Sequence, residues 1–450
     1  MMSEADELAI GREQDAEIRR EMGVYDDTAV QRYIDDIGQT LAATSHRPTL
    51  HWTFTVVDSQ AVNAFALPGG YVYITRGILP YLDDESELAG VLGHEIGHVT
   101  ARHAAQQYTR QAQTGLGLAV LSIFVPGTRP FADLGASALG VAFLKYGRDA
   151  ELEADRLGIE YGSRGGWDPT GVARFLSTLA RVDALSARGV PNWLSTHPDP
   201  GSRVKEATPL AAQAASPSAA ATNRDQYLDR IAGLAYGDSP KDGIVRANAF
   251  LHPVLRIALE FPEGWEVTNT PEQVVAREPG TDHYMALQQV DQPRGRSLGD
   301  VATSAMTGAG YKVVTGSAER INGLDAYVGT YRGSMKSVGK VTMRAVHIGV
   351  GRDVYAVAGL APDAEFARVD PILDGSIRTF RELGRDEAAR IGPNRLDFYT
   401  VKAGDTWQSI AVRAGRSLVN AATLAIMNDH DVADQPHSGE RIKIVTEGSL

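Results

Sequence analysis

The chain has 450 residues, enough for about three domains. Its 43% hydrophobic and 22% charged content is ordinary for a globular protein, and a formal net charge of −12 argues against a nucleic-acid binder or a polybasic membrane anchor. Without cysteine, disulfides, thiolate metal sites, thiol catalysis and lipid attachment to Cys are excluded, and no apolar run approaches the roughly 20 residues of a membrane-spanning helix. The start, Met1-Met2-Ser3-Glu4-Ala5-Asp6, is acidic and lacks the apolar core of a signal peptide. The doubled Met suggests a shortened start, compatible with an exported precursor.

Glu4 to Glu21 reads as an exposed, charge-rich helix. Asp26-Asp27-Thr28 opens a second over Ala29 to Ala43, with Val30, Tyr33, Ile34, Ile37 and Leu41 at helical spacing. Trp52 to Asp58 alternates and is rich in β-formers, so it predicts a strand. In Val62 to Gly77, Pro68-Gly69-Gly70 marks a tight turn between two more strands. Asp83, Asp84 and Glu85 then precede a helix from Ser86 to His103, with Leu88, Val91 and Leu92 on one side. This helix carries His94-Glu95-Ile96-Gly97-His98, the H-E-x-x-H pattern. Histidines four apart project from one helix face, where two imidazoles can hold one Zn²⁺ with Glu95 beside it as general base.

Catalytic zinc usually takes a third protein ligand. His103 is nearest in sequence, but nine residues after His94 it points to the opposite side of a continuous helix. Ala101 and Ala104 stand where another zinc class has a glycine and a third histidine. The better candidate is Glu151, in the helical stretch Tyr146 to Gly158. Asp155 shares its face and can take the free ring N–H of a ligand histidine, fixing its tautomer, whereas Glu153 points elsewhere as a solvated charge.

H-E-x-x-H followed by Glu151-x-x-x-Asp155 resembles the zinc metallopeptidase family that includes the CaaX prenyl protease, HtpX and BepA, in its soluble BepA-like branch. The resemblance runs from about Ser3 to Arg203. It implies His94, His98 and Glu151 as ligands of one Zn²⁺ per chain, Glu95 as base and acid, and Asp155 behind the ligands. It also implies that Asn63, Ala64, Phe65 and Ala66 lie on an edge strand that pairs with a peptide substrate. A third family motif, Trp193 to Val204, implies that His197 and Arg203 approach the metal. There they would stabilise an oxyanion, or His197 would ligate zinc in a resting state; a helix-capping turn with a structural Arg is the plainer alternative. Gly147 stands where the family often has serine.

Between the metal helices, the apolar stretches Gly115 to Gly127 and Gly135 to Leu144 suit a buried hairpin, a lid, or a surface dipping into a membrane or partner. Thr170 to Ala184 predicts a helix. Ala/Ser/Pro-rich Thr208 to Thr222 predicts a linker. Beyond it, Tyr227 to Tyr236 reads as a helix. Strands follow at Leu255 to Val267, Tyr284 to Val290, Ala326 to Arg332, Val341 to Val350 and Asp353 to Leu360. Helices are predicted at Ser297 to Ala309 and Asp363 to Thr379. The Phe261-Pro262-Glu263-Gly264-Trp265 opening resembles small α+β domains of the PsbP and Mog1 type. The tail, from Phe398-Tyr399-Thr400-Val401 through Gly404-Asp405-Thr406-Trp407 to Ser438-Gly439-Glu440-Arg441-Ile442, resembles a lysin motif. That implies a βααβ module which binds N-acetylglucosamine polymers such as peptidoglycan, or a degenerate module that only packs.

The expected fold class is therefore α+β multidomain: a mainly helical zincin-type metallopeptidase domain with a small sheet over residues 1–207, a linker at 208–222, an α+β antiparallel-sheet domain at 223–385, and a small βααβ module at 396–446. The expected function is zinc endopeptidase acting on protein or peptide substrates, periplasmic or otherwise exported, with peripheral envelope association and no nucleic-acid partner. A chaperone or assembly factor with gated proteolysis is the alternative.

Overall fold

The computed structural model describes residues 2–113, 146–185, 197–216, 220–291, 295–335, 337–415 and 418–449. The apolar stretches 115–127 and 135–144 lie outside the described residues. Two compact units result. The first gathers the described residues up to Gly237 together with Asn394–Glu447, and the second holds Asp238–Pro393.

In the first unit, α1 (Glu4–Glu21) opens with a capping box: the Ser3 hydroxyl accepts from the Asp6 amide, and the Asp6 carboxylate accepts from that of Ser3. Asp27 caps α2 (Thr28–Thr44), which buries the predicted stripe of Val30, Tyr33, Ile34, Ile37 and Leu41. Strands β1 (Thr53–Val57), β2 (Ala64–Leu67) and β3 (Tyr71–Thr75) form a sheet in the order β1-β3-β2. β2 runs antiparallel to β3 at the sheet edge. Gly69 and Gly70 make the turn at φ +89° and +96°, which a side chain rarely adopts. Helix α3 (Glu85–Thr100) is capped by Asp84 and is buried on every side from Glu85 to Val99.

The predicted continuous helix to His103 is corrected here. α3 stops at Thr100, Arg102 takes a left-handed φ of 59°, and α4 (His103–Gln113) starts afresh in a new direction. Then follow α5 (Arg148–Arg164), α6 (Gly171–Leu185), α7 (Pro200–Ala214) and α8 (Arg224–Arg230). Much of the expected linker is thus helix: α7 continues through Thr208 to Ala214, because alanine-rich sequence favours helix once Ala207 and Ala211 have a core to enter. The helix expected over 227–236 is the shorter α8, after which Ala235–Tyr236 forms β4.

The second unit begins with β5 (Ile244–Arg246), β6 (Ala249–His252) and β7 (Ile257–Glu260). β8 (Glu266–Asn269), β9 (Gln273–Arg277) and β10 (Tyr284–Val290) precede α9 (Leu298–Gly308). The long strands β11 (Lys312–Ile321), β12 (Leu324–Met335), β13 (Gly339–Val350) and β14 (Asp353–Pro362) complete a seven-stranded antiparallel sheet, ordered β11-β12-β13-β14-β10-β9-β8. Next come α10 (Phe366–Ile377), β15 (Arg381–Glu382) and α11 (Arg385–Arg390). β15 joins β7, β6 and β5 in a second, four-stranded sheet. One face of the large sheet buries Val346, Ile348 and Val357 against Leu373 and Ile377 of α10; the other buries Met343 and Ala345 against Met306 of α9.

The chain returns to the first unit with β16 (Asn394–Thr400), α12 (Trp407–Gly415), α13 (Ala421–Met427) and β17 (Arg441–Thr446). β16 pairs with β17 and with β4. Trp407, Ile410, Leu424, Met427, Ile442 and Val445 share one continuous core with Leu79, Leu82, Tyr227 and Leu228. By this division 223–237 and the C-terminal βααβ segment fall in the first unit. The segment's apolar face is satisfied by the residues around α3.

Candidate metal centre

α3 aims His94 and His98 to one side, as the four-residue spacing requires. α5 lies against α3 because both present glycine at the crossing. A Cβ on Gly158 would stand 2.9 Å from the His94 amide nitrogen, and one on Gly93 would stand 3.1 Å from the Gly158 Cα. This close approach carries Glu151 to the histidines. The Nε2 atoms of His94 and His98 lie 3.0 Å apart. The Glu151 carboxylate lies 3.7 Å from the first and 3.6 Å from the second. His197, just before α7, completes the group: its Nδ1 is 3.3 Å from His94 Nε2 and 3.1 Å from Glu151 Oε1. All four residues are buried, and their donor atoms fall within 4.8 Å of one another. The donors of a tetrahedral zinc, at about 2.1 Å, are separated by ~3.3 Å. The residues therefore fit the ion in donor type, number and spacing.

Around this group stands a second ring of partners. His94 Nδ1 lies 2.9 Å from Asp155 Oδ1. Arg203 donates to both Asp155 oxygens at 2.8 and 2.6 Å, and its third nitrogen is 2.6 Å from Glu151. His98 Nδ1 lies 2.8 Å from His103 Nδ1, and His103 Nε2 is 3.3 Å from Glu153. Tyr146 stacks on His98 with ring centroids 4.0 Å apart. Sequence reasoning set His103 aside as facing away and Glu153 as a solvated charge; the left-handed turn at Arg102 brings His103 back behind His98, and half-exposed Glu153 then has a partner. Neither Gly nor Pro announces that turn, so the sequence held no signal for it. Tyr146 had no role assigned.

Electrostatics divides the carboxyls. Burial pushes Glu95 up, against the pull of His197 and His94. Among the described residues both buried Glu95 oxygens are without a hydrogen-bond partner, and His197 Nε2 stands 3.5 Å from one of them. Burial works to raise Glu151 as well, but His197 and Arg203 prevail and hold it below the usual range. Against its burial, Arg203 and His94 hold Asp155 well below that range. Burial and the neighbouring His94 and His197 rings push His98 down, keeping it in the neutral form a metal ligand needs. Burial opposes protonation of His197, yet Glu151 and Glu95 raise it.

Asn63 lies at the mouth of β2: its amide donates to Thr75 Oγ1 and its carbonyl accepts from the Thr75 amide. Ala66, Leu67 and Pro68 line a small pocket of about 10 Å³ with His98 and Tyr146. Ala64 and Phe65 are buried.

The model of peptidase family M48 matches residues 28–211. That stretch contains every ligand candidate. Residues 28–211 are thus similar to peptidase family M48. Among relatives, the chain is 29% identical to the beta-barrel assembly-enhancing protease of Yersinia pestis, over 72% of this chain and 70% of that one. It is also 29% identical to its namesake of Escherichia coli strain K12, over 64% and 63%. The mitochondrial metalloendopeptidase OMA1 of Arabidopsis thaliana is 33% identical over 41% of this chain and 37% of its own. The chain thus spans well under the full length of these relatives. The family match and the buried His/His/Glu set support a zinc metallopeptidase domain over residues 28–211. No described helix is long and apolar enough to cross a membrane.

Proposed function

We propose that His94, His98 and Glu151 hold one catalytic zinc and that Glu95 is the acid–base group of an endopeptidase. One observation carries the reading: three ligand-type atoms from two separate helices converge beside a buried carboxyl with no hydrogen-bond partner. Bound zinc supplies Lewis acidity toward a peptide carbonyl and a nearby water. Glu95 takes the proton of the attacking water and returns it to the leaving amide nitrogen; its raised pKa suits both halves of that task. Asp155 holds His94 in the tautomer that turns Nε2 to the metal, and His103 does the same for His98. Arg203, hydrogen-bonded to Asp155 and ion-paired with Glu151, acts as a positioning residue through them. The oxyanion then falls to His197. In the present arrangement His197 Nδ1 occupies the fourth place of the ligand set, which supports a resting state that it must leave before substrate enters.

The β2 edge is the natural docking line for a peptide. Among the described residues its main chain is open on one side, and the pocket it lines reaches His98. Within Asn63 to Ala66, Ala64 and Ala66 would then pair with substrate through backbone hydrogen bonds, a mode tolerant of sequence, while Asn63 holds the strand to Thr75. The beta-barrel assembly in the names of two relatives favours proteins on the way to a β-barrel as substrates, and the resemblance to the BepA-like branch implies an exported location. The C-terminal βααβ segment is a candidate for peptidoglycan binding.

The test is casein cleavage and zinc content measured together. Glu95→Gln should lose about 10²–10⁴-fold in rate with zinc unchanged at about one per chain. Glu151→Gln should lose zinc as well, and a chelator should silence the wild type. Full cleavage by Glu95→Gln would sink the assignment. A client held but never cut by the wild type would favour the chaperone reading.

A further inference from the structure

Among the described residues, one other group of metal-type side chains lies outside the catalytic centre. His430, His437 and Glu440 each offer a ligand atom, and the three atoms fall within 4.8 Å of one another. They belong to the loop between α13 and β17: His430 follows the end of the helix, and Glu440 stands just before the strand. Backbone contacts fix both ends. The His430 amide, after a left-handed Asp429 at φ 58°, donates to the Ala425 carbonyl. The Glu440 amide donates to the His437 carbonyl, and the Glu440 carbonyl accepts from the Val401 amide. Buried Trp407 packs against the His430 ring, centroids 5.1 Å apart, and donates its indole N–H to the Asp434 carbonyl midway round the loop. His430 Nε2 is 2.8 Å from Glu440 Oε1, and His437 Nδ1 is 3.7 Å from Glu440 Oε2. The His437 amide also donates to Oε2, at 3.1 Å, which orients the carboxylate. Donors around a tetrahedral ion with bonds of about 2.1 Å are separated by ~3.3 Å, within the range found here. A His430–Glu440 hydrogen bond accounts for one ring and leaves the second imidazole to be explained.

We propose that His430, His437 and Glu440 form a second divalent metal site, one that ties the α13–β17 loop together. Two imidazole nitrogens and one carboxylate oxygen suit zinc, not the oxygen-seeking calcium and magnesium. With three ligands at the surface, the site should bind with a Kd on the order of micromolar, weaker than a closed structural site. It is therefore loaded from solution and adds nothing to the tightly held ion of the catalytic centre. The same loop reaches α6: Arg181 donates to Asp429 and lies 3.5 Å from Asp431. A bound ion would stiffen that contact between the C-terminal segment and α6.

The experiment is calorimetric titration of full-length protein, desalted with its first zinc in place, with further zinc or with calcium at neutral pH. The wild type should take up one further zinc with a Kd on the order of micromolar, and amide hydrogen exchange over 428–440 should slow as it binds. His437→Ala, at a side chain 82% exposed, spares the fold and should weaken that uptake at least about tenfold, since losing a partner merely behind a ligand already costs that much. His430→Ala should do the same, whereas His51→Ala, at another exposed histidine, should change nothing. Calcium should bind at least about a hundredfold more weakly than zinc. The further site is counted as the difference between wild type and His437→Ala, so the result does not depend on whether the first zinc is catalytic. No further zinc at about 100 μM free ion would overturn the proposal and leave only a hydrogen-bonded His430–Glu440 pair. So would uptake undiminished in His437→Ala, or calcium bound as tightly as zinc.

Discussion

Asp155 illustrates how one buried carboxylate couples the metal centre to stability. It is 2% exposed, and against that burial Arg203 and His94 keep it ionised well below the usual carboxylate range. The unfolded chain has an ordinary Asp, near 3.8. Because the folded value is depressed, the charge contributes fully to stability above about pH 4 and is lost as the pH falls toward the folded value. In zinc-free protein, denaturant unfolding should therefore show stability dropping as pH falls from 5 to 3. Asp155→Asn should flatten that drop and cost about 3 kcal/mol at pH 7, leaving Arg203 buried beside a single carboxylate. An equally steep acid limb in the variant would show that Asp155 is not its source. The same ring of residues marks the limit of sequence reasoning. Asp155 was legible from its spacing after Glu151, whereas His103 was not, since its place depends on one backbone angle at Arg102.

The contact of α3 with α5 fixes the distance between Glu151 and the two histidines. Its closeness rests on glycine at the crossing: Gly93 and Gly97 on α3 meet Gly158 and Ala154 on α5 at backbone distance. Gly158→Ala forces a Cβ to 2.9 Å from the His94 amide, so the helices must part. The expected cost is about 1–3 kcal/mol by thermal melting, with zinc affinity falling roughly tenfold as Glu151 is drawn back. Gly162→Ala, on the same helix, meets nothing within 4 Å. It should stabilise by about 0.5–1 kcal/mol and leave zinc binding intact. Equal effects of the two variants would mean that the crossing does not set the site. Helix periodicity announced both helices; nothing in it said which glycines would face each other.

Within the first unit the C-terminal βααβ segment is structural as well as a candidate reader of glycans. Lys443 is completely buried, donates its Nζ to the Leu82 carbonyl at 2.6 Å, and lies 3.5 Å from Asp83, at the N-terminal approach to α3. Arg224 donates to Asp83 and to the Arg441 carbonyl, and Arg181 of α6 bonds Asp429. Deleting residues 394–450 would expose Leu79, Leu82 and Tyr227 to water and strip Asp83 of one cation. The shortened chain should lose zinc retention and cooperative melting together, or precipitate. An unchanged melting temperature would show the segment to be an appendage.

Sequence alone determined the chemistry. Two histidines four residues apart on a helix with a glutamate directly after the first, a second helix with Glu151 and Asp155 on one face, and the absence of cysteine left little but an oxygen- and nitrogen-ligated metal. Local pattern suffices there because a helix fixes the direction of side chains from their spacing. Tertiary structure decided what spacing cannot encode. It turned His103 behind His98, set His197 beside His94 and Glu151, engaged Arg203 with two carboxylates, and drew the C-terminal strands into the core around α3. Each of these depends on contacts between residues from about fifty to several hundred positions apart, or on one left-handed backbone angle that surrounding packing, and not the residue type, selects.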